Sequence, residues 1–391
     1  MKNASTTRCG FAALVGLPNA GKSTLLNALA DMPLAAVTPK PQTTQRLLRG
    51  IDTQGDCQII WVDSPGLLRP RNALHATMQR QIHQAVRHAD VLVHVVDVTR
   101  SSSESDATPD PLPAAEVGHK PVILVFNKID LLPCHAVEEG LPKSRDAINR
   151  VSTVAGWGMV DSRWSLPPTP SRGGNDKVRG GQRVRDNNLS FRSSQNVASE
   201  GSARQKSSKK RNLYGINEHF EKIFNEAETS TAVLRRPALG VSAVTGEGVE
   251  ELRAAVAGLL PRGPFLFDPR EVTDAPERAL AGEFIRREAM LQLRQELPYC
   301  VAVTVERFDE RRRRDPRKPL VEIEAVLHVE RASQRPMVVG RGGECVKAIG
   351  TAARTVLQQL LDCQVMLRLS VRVQPHWRAH APSLRKLGYG G

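Results

Sequence analysis

Residues 16–23 read Gly16-Leu17-Pro18-Asn19-Ala20-Gly21-Lys22-Ser23 and fit G-x-x-x-x-G-K-[ST]. In such a loop the backbone N–H groups ring a phosphate at the N-terminus of a helix. The neighbouring chain supplies the context the loop needs: residues 11–15 are an apolar, strand-length run, and residues 24–29 have helical spacing. In this arrangement Lys22 reaches the β- and γ-phosphates and the Ser23 hydroxyl sits on Mg²⁺. Gly16, Ala20, Gly21 and Thr24 are the remaining expected phosphate contacts. By itself the loop leaves ATP or GTP, kinase or switch, undecided.

Two later motifs narrow the choice. Residues 37–45 are rich in Pro and Thr and read as an exposed loop, and residues 47–51 and 57–62 are two apolar runs joined by a hairpin signal. The second run ends in Asp63-Ser64-Pro65-Gly66, a D-x-x-G at a strand end. There Asp63 is expected to hold Mg²⁺, usually through water, and the Gly66 amide to meet the γ-phosphate. Residues 120–126 form another apolar run leading into Asn127-Lys128-Ile129-Asp130. This N-K-x-D is specific for guanine, because the Asp130 carboxylate can accept from both the ring N–H and the exocyclic amine, an edge adenine does not present. Residues 237–241 read as a further strand, followed by Ser242-Ala243 below the base, and residues 248–260 as the closing helix. Residues 11–130 and 237–262 thus alternate strand and helix, the plan of a doubly wound α/β sheet with its site at the carboxyl edge.

Charge shows where a polyanion would be met. The 391 residues carry a net +14, of which residues 163–212 hold +9 and residues 331–391 hold +8, leaving the rest at −3. The first zone lies in an interruption: Asn127 and Ser242 are 115 residues apart. Residues 163–212 are rich in Ser, Gly, Asn and Arg without periodicity, a composition that cannot bury enough surface to order itself. They read as a solvated insertion or as a basic arm that lies on RNA, with a short helix expected at 217–225. Six scattered cysteines, with no C-x-x-C pair, argue against a zinc site or a disulfide framework. The longest apolar runs, such as residues 91–98, are too short to span a bilayer. Residues 1–10 carry Lys2 and Arg8 and no acid, too little to read as a transit peptide.

From about residue 265 the pattern changes. An amphipathic helix at 276–296 precedes two alternating strands, 299–308 and 320–329, joined by a charged loop at 309–318. Then come Gly340-Arg341-Gly342-Gly343, a helix to about residue 362 and a strand at 364–373. The order α-β-β-α-α-β, with G-x-x-G opening a helix, is the KH arrangement, in which bare backbone is pressed against a single-stranded nucleic acid. Arg341 and Lys347 would add phosphate contacts, and Val339, Val346 and Ile349 an apolar groove for bases.

Taken together, GLPNAGKSTLLNAL, QTTQRLLRGI, VDSPGL, NKID, SAVTGEGVEEL, VVGRGGECVKAIGTAAR and the ending WRAHAPSLRKLGY resemble the Era family, ribosome-associated GTPases with a G domain followed by a KH domain. The likeness covers nearly everything except residues 135–236, the acidic loop near 101–113 and the extreme N-terminus. It implies a P-loop GTPase sheet followed by a smaller α+β type II KH domain. The chain divides accordingly into 1–134 (G domain, first part), 135–236 (basic insertion), 237–262 (G domain, last strand and helix) and 263–391 (KH domain). The resemblance makes Thr44 the sensor of Mg²⁺ and γ-phosphate, and Asn19 either a K⁺ ligand or a turn-stabilising residue. Leu67 follows the D-x-x-G glycine where Ras-like proteins keep a water-orienting Gln, so intrinsic hydrolysis should be slow. Gln45 stands where the family usually has Arg, and Ser64 where it has Thr.

By resemblance, GTP/GDP and Mg²⁺ are the ligands and the 3′ end of small-subunit rRNA in the assembling subunit is the partner, alongside other assembly factors. Inserts and basicity point to the mitochondrial matrix, with the bacterial cytoplasm as alternative. Two other readings stay open: a GTP-binding but non-hydrolysing RNA scaffold, which Leu67 favours, and a P-loop ATPase or kinase acting on RNA, which N-K-x-D opposes.

Overall fold

A computed structural model describes residues 7–99, 117–132 and 238–389. The basic zone 163–212, the expected helix at 217–225 and the loop at 101–113 lie outside the described residues. Within them, the chain folds around two sheets.

The first sheet contains β1 (Arg8–Val15), β2 (Leu48–Gln54), β3 (Cys57–Asp63), β4 (Val91–Asp97), β5 (Val122–Asn127) and β6 (Ala238–Val241), in the order β2-β3-β1-β4-β5-β6. All neighbours are parallel except the β2–β3 hairpin. Alternation along β1 explains its three layers. Ala12 and Leu14 face a core with Trp61, Val93 and Val125, covered by α1 (Lys22–Leu29) and α3 (Val249–Leu259). Ala13 and Val15 face the other side, where Ile82, Ala85 and Val86 of α2 (Ala73–His88) pack. Because the strands are parallel and both faces are covered, they read as near-continuous apolar runs. A buried polar knot closes one edge: Trp61 Nε1 and Arg253 Nε both donate to Asp52 Oδ2, at 3.2 and 2.7 Å, and Arg253 also reaches the Leu29 carbonyl.

The segment after α3 is fastened to the same sheet. Gln58 Oε1 accepts from the Leu266 and Phe267 amides, and Ile51 N–H donates to the Val272 carbonyl. The second unit follows, with α4 (Glu277–Gln292), a short α5 (Leu297–Cys300), β7 (Ala302–Arg312), β8 (Leu320–Val329), α6 (Gln334–Val339), α7 (Glu344–Leu361), β9 (Gln364–Val373) and α8 (Ala381–Lys386). β7–β8 is antiparallel and β8–β9 parallel. Phe284 and Ile285 of α4 pack with Ile349, Ala353 and Leu357 of α7 over the sheet. The expected charged loop 309–318 is shorter than its polarity implied. β7 continues through Arg312 because ladder pairing to β8 and cross-strand pairs such as Arg312–Glu322 carry polar residues in extended backbone.

Candidate functional site

At the carboxyl edge of the first sheet, the glycines of the loop 16–23 are required by close packing. A Cβ on Gly16 (φ +149°) would sit 2.3 Å from the Val95 carbonyl oxygen, and one on Gly21 (φ +91°) would sit 2.1 Å from Asn127 Nδ2. Lys22 is buried, and its ammonium donates to the Gly16 and Leu17 carbonyls at 3.1 and 2.9 Å. Thr24 lies in the first turn of α1. Across from Lys22, Ser23 Oγ donates to Asp63 Oδ2 at 2.6 Å and lies 2.7 Å from Thr44 Oγ1, which is itself 3.4 Å from Asp63 Oδ2. Asp63 is fully buried, and its other oxygen, Oδ1, has no hydrogen-bond partner among the described residues.

Burial lifts the Asp63 carboxyl to about 6, against the pull of Lys22 and of the hydrogen bonds from Ser23 and Thr44. Burial also drops the Lys22 ammonium to about 8, with Asp63 drawing it back up. Two hydroxyls and a buried carboxylate with an orphaned oxygen form a hard-oxygen donor set, which fits Mg²⁺. The D-x-x-G backbone closes this end: Leu67 N–H donates to the Gly16 carbonyl at 3.0 Å, and a Cβ on Gly66 would meet Pro18 at 2.7 Å. Ser64 faces the other way, its hydroxyl bonded to the Leu14 carbonyl at 2.7 Å. The Leu67 side chain joins the apolar cluster that includes Leu47 and Val62.

The base end is tied to the phosphate end by one side chain. Asn127 Nδ2 donates to the Ala20 carbonyl at 2.9 Å while its Oδ1 accepts from the Ala243 amide at 3.1 Å. Asp130 is exposed, with Oδ1 accepting from Ser242 Oγ at 2.6 Å and its other oxygen accepting no hydrogen bond from a described residue. Lys128 takes a left-handed φ of +71° and pairs with Asp97 at 2.5 Å. Asp97 is held below the usual carboxylate range, despite burial, chiefly by the hydrogen bond from Lys128. Asn19 (φ +64°) donates to the Pro39 carbonyl at 3.3 Å, linking the phosphate loop to the loop 37–45.

That loop is also fastened to the second unit, by residues the sequence motifs did not include. Arg286 of α4, 1% exposed, donates to the Thr43 carbonyl and to Glu283 at 2.6 Å. Lys40 donates to the Met290 and Leu293 carbonyls at the end of α4, the latter at 2.6 Å. Arg46 donates to the Leu387 carbonyl at 2.7 Å and lies 4.5 Å over the Tyr389 ring. The other loop's helix, α2, is covered by the chain end: Leu74 and Met78 pack with Trp377, Leu384, Leu387 and Tyr389. The available signal was a charged residue, Arg286, at a core-facing position of an amphipathic helix.

In the second unit, α6 leads into G-x-x-G and α7 leads out. Gly340 (φ +77°) has no room for a Cβ, which would lie 2.7 Å from the Cys345 nitrogen. Gly342 (φ +59°) and Gly343 (φ +84°) face open space, where a Cβ would meet no atom within 4 Å beyond its chain neighbours. Arg341 and Lys347 are exposed beside them, and Val339 and Val346 are half-buried. Ile349 does not line a groove for bases, because it is fully buried in the core beneath α7.

Comparison with known proteins agrees with both units. Residues 11–128 match the family described as 50S ribosome-binding GTPase, and residues 296–378 match the KH domain family. GTPase Era of Caldanaerobacter subterraneus subsp. tengcongensis is 30% identical, with 98% of each chain covered. GTPase Era of Deinococcus deserti is 32% identical over 98% of this chain and 96% of its own. Among solved structures, an Aquifex aeolicus Era variant bound to GDP·AlF4⁻ is 25% identical with TM-score 0.69, covering 98% of this chain and 99% of its own. Era in complex with MgGDPNP and nucleotides 1506–1542 of 16S ribosomal RNA is 26% identical with TM-score 0.68, over the same shares. With its phosphate loop, guanine motif and G-x-x-G module in this order, the chain belongs to the Era family of GTPases.

Proposed function

We propose that the protein is a slow GTPase that binds small-subunit rRNA near its 3′ end and acts in assembly of the small ribosomal subunit. The observation that carries this reading is the fastening of the loop bearing Thr44 to the helix α4 that also packs under the G-x-x-G module. A change in that loop between nucleotide states would therefore act on the RNA-binding unit.

In this reading the backbone of residues 16–21 and the Lys22 ammonium bind the phosphates, with Ser23 and Thr24 opening the helix beneath them. Asn127, Lys128, Ser242 and Ala243 shape the base pocket, and the open oxygen of Asp130 selects guanine. Ser23, Thr44 and, through water, Asp63 would hold Mg²⁺, which neutralises charge on the β- and γ-phosphates. The Gly66 amide meets the γ-phosphate. No side chain at position 67 orients the attacking water, which supports slow intrinsic turnover. Asn19 Oδ1, which accepts no hydrogen bond from a described residue, is available to a K⁺ ion that would supply positive charge in place of an arginine finger. Gly340, Arg341, Gly342, Gly343 and Lys347 hold the RNA backbone.

We assign 1–134 and 237–262 to the G domain, 135–236 to a basic insertion and 263–391 to the KH domain. The basic insertion supports a mitochondrial-matrix member, with other assembly factors as partners, although the relatives named above are bacterial. Among the described residues no helix is long and apolar enough to cross a membrane. Fractionation of cells expressing the tagged protein tests the location.

Leu67 in its apolar cluster favours a second reading, a GTP-binding scaffold that scarcely turns over. Single-turnover hydrolysis with Na⁺ or K⁺, with and without rRNA, separates the two, since K⁺ and rRNA should raise the rate only of a GTPase. Asp130→Asn should move preference from GTP towards XTP; unchanged preference would overturn the guanine reading.

A further inference from the structure

We infer that the exposed face of α7 and the tip of the β7–β8 hairpin form a second, extended phosphate-binding track for RNA, leading away from G-x-x-G. This rests on the reading of G-x-x-G as an RNA site. Helix α7 runs from that loop to Leu361, a length of about 27 Å for 18 residues. The hairpin tip stands at its far end, because Arg313 donates to the Leu361 carbonyl at 3.3 Å and the Gln364 amide to the Pro319 carbonyl at 3.1 Å.

The distribution of unpaired cations marks the track. Along the strands each exposed arginine has a carboxylate: Arg307 beside Asp309 and Glu324, Arg368 beside Glu324, Arg372 beside Glu306. A recess of about 270 Å³ between Asp309, Arg311, Arg312 and Glu322 is likewise charge-balanced. At the tip this pairing stops. Arg314, Arg317 and Lys318 are exposed and make no ion pair with a described residue. Between the tip and Arg341 lie Lys347 and Arg354, also exposed and without an ion pair to a described residue, spaced two turns apart and so on one face of α7.

The tip is held in place. Of the run Arg311–Arg314, Arg313 is spent on anchoring, donating to Glu277 at 2.5 and 2.9 Å and to Glu310 at 2.8 Å. Asp315 turns the chain by accepting from the Arg317 amide at 2.9 Å. A fixed display of unpaired cations fits a phosphate backbone, which rewards charge without asking for sequence. A KH loop clamps about four nucleotides, so the track would serve the RNA beyond them.

The test uses the full chain and two RNAs: an oligonucleotide of about four nucleotides and the RNA of nucleotides 1506–1542 that Era is seen bound to. Changing Arg314→Glu, Arg317→Glu and Lys318→Glu together should weaken the long RNA on the order of tenfold near 150 mM salt. Its log-log salt slope should flatten by about 2, and the short RNA should be unaffected. Arg314→Lys with Arg317→Lys should keep the native slope. Should the triple variant melt early, Arg354→Glu alone should flatten the slope by about 0.7. Unchanged long-RNA binding, as expected if the tip meets an acidic protein instead, overturns the proposal, and so does equal weakening of both RNAs. Gly342→Asp with Gly343→Asp is the separate control. If it leaves both RNAs bound, the G-x-x-G reading itself is wrong, whatever the tip does.

Discussion

The buried guanidinium of Arg286 donates to the backbone carbonyl of Thr43, so the residue before Thr44 is held by a side chain from the other unit. Thr44 in turn meets Ser23 and Asp63. Arg286→Met should therefore slow RNA-stimulated hydrolysis about tenfold, the worth of one charged hydrogen bond. It should also cost about 2 kcal/mol of stability, because among the described residues Glu283 then keeps Arg46 alone, at 3.7 Å. Adding Glu283→Leu removes the stranded carboxylate and should recover most of that stability without recovering the rate. Urea unfolding and single-turnover hydrolysis on both variants check this. If the double variant regained full rate, Arg286 would be a packing residue only.

The chain end is a second fastening. Tyr389 stacks on Trp377 with ring centres 5.6 Å apart, and Arg46 lies over it. Tyr389→Ala empties a fully buried site and should cost about 3 kcal/mol in urea unfolding. Tyr389→Phe keeps the stack and the cation–π contact and should cost less than about 1 kcal/mol. Equal losses would mean that the hydroxyl, not the ring, holds the end in place.

Leu67→Gln should not create a Ras-like catalyst. The Leu67 amide is fixed to the Gly16 carbonyl, and its side chain packs with Leu47 in an apolar cluster. A Gln there must bury its amide or leave the cluster, costing about 1–2 kcal/mol. Intrinsic hydrolysis should rise by no more than about twofold. A tenfold rise in a multiple-turnover assay would show that the loop can turn position 67 towards the nucleotide.

Much of this was legible because local and global signals agree. The strand-then-loop motifs at Gly16–Ser23, Asp63–Gly66 and Asn127–Asp130 lie where parallel strands end at one sheet edge, so spacing alone brought them together. Arg286, Lys40 and Arg46 were not legible for the opposite reason. Each bonds to a backbone carbonyl far along the chain, and a carbonyl carries no residue identity for a motif to use. Ile349 misled because a residue near G-x-x-G can face the groove or the core, and only the helix phase set by Ala353 and Leu357 decides.

Asn127 gives the sharpest test of how the nucleotide site is held. Its amide joins the Ala20 carbonyl to the Ala243 amide, and it is 2% exposed, so water cannot replace either bond. Asn127→Ala leaves both backbone groups unpaired, at about 1–3 kcal/mol each. Because neither bond touches the γ-phosphate end, GTP and GDP affinities should fall together, on the order of a hundredfold, with their ratio unchanged. Thr44→Ala should do the reverse, weakening GTP and sparing GDP, since Thr44 contacts Ser23 and Asp63, the residues proposed above to hold Mg²⁺. Fluorescent-nucleotide titrations of both variants check the contrast. Loss of GTP binding alone in Asn127→Ala would mean that this side chain senses the nucleotide state and does not merely join the two loops.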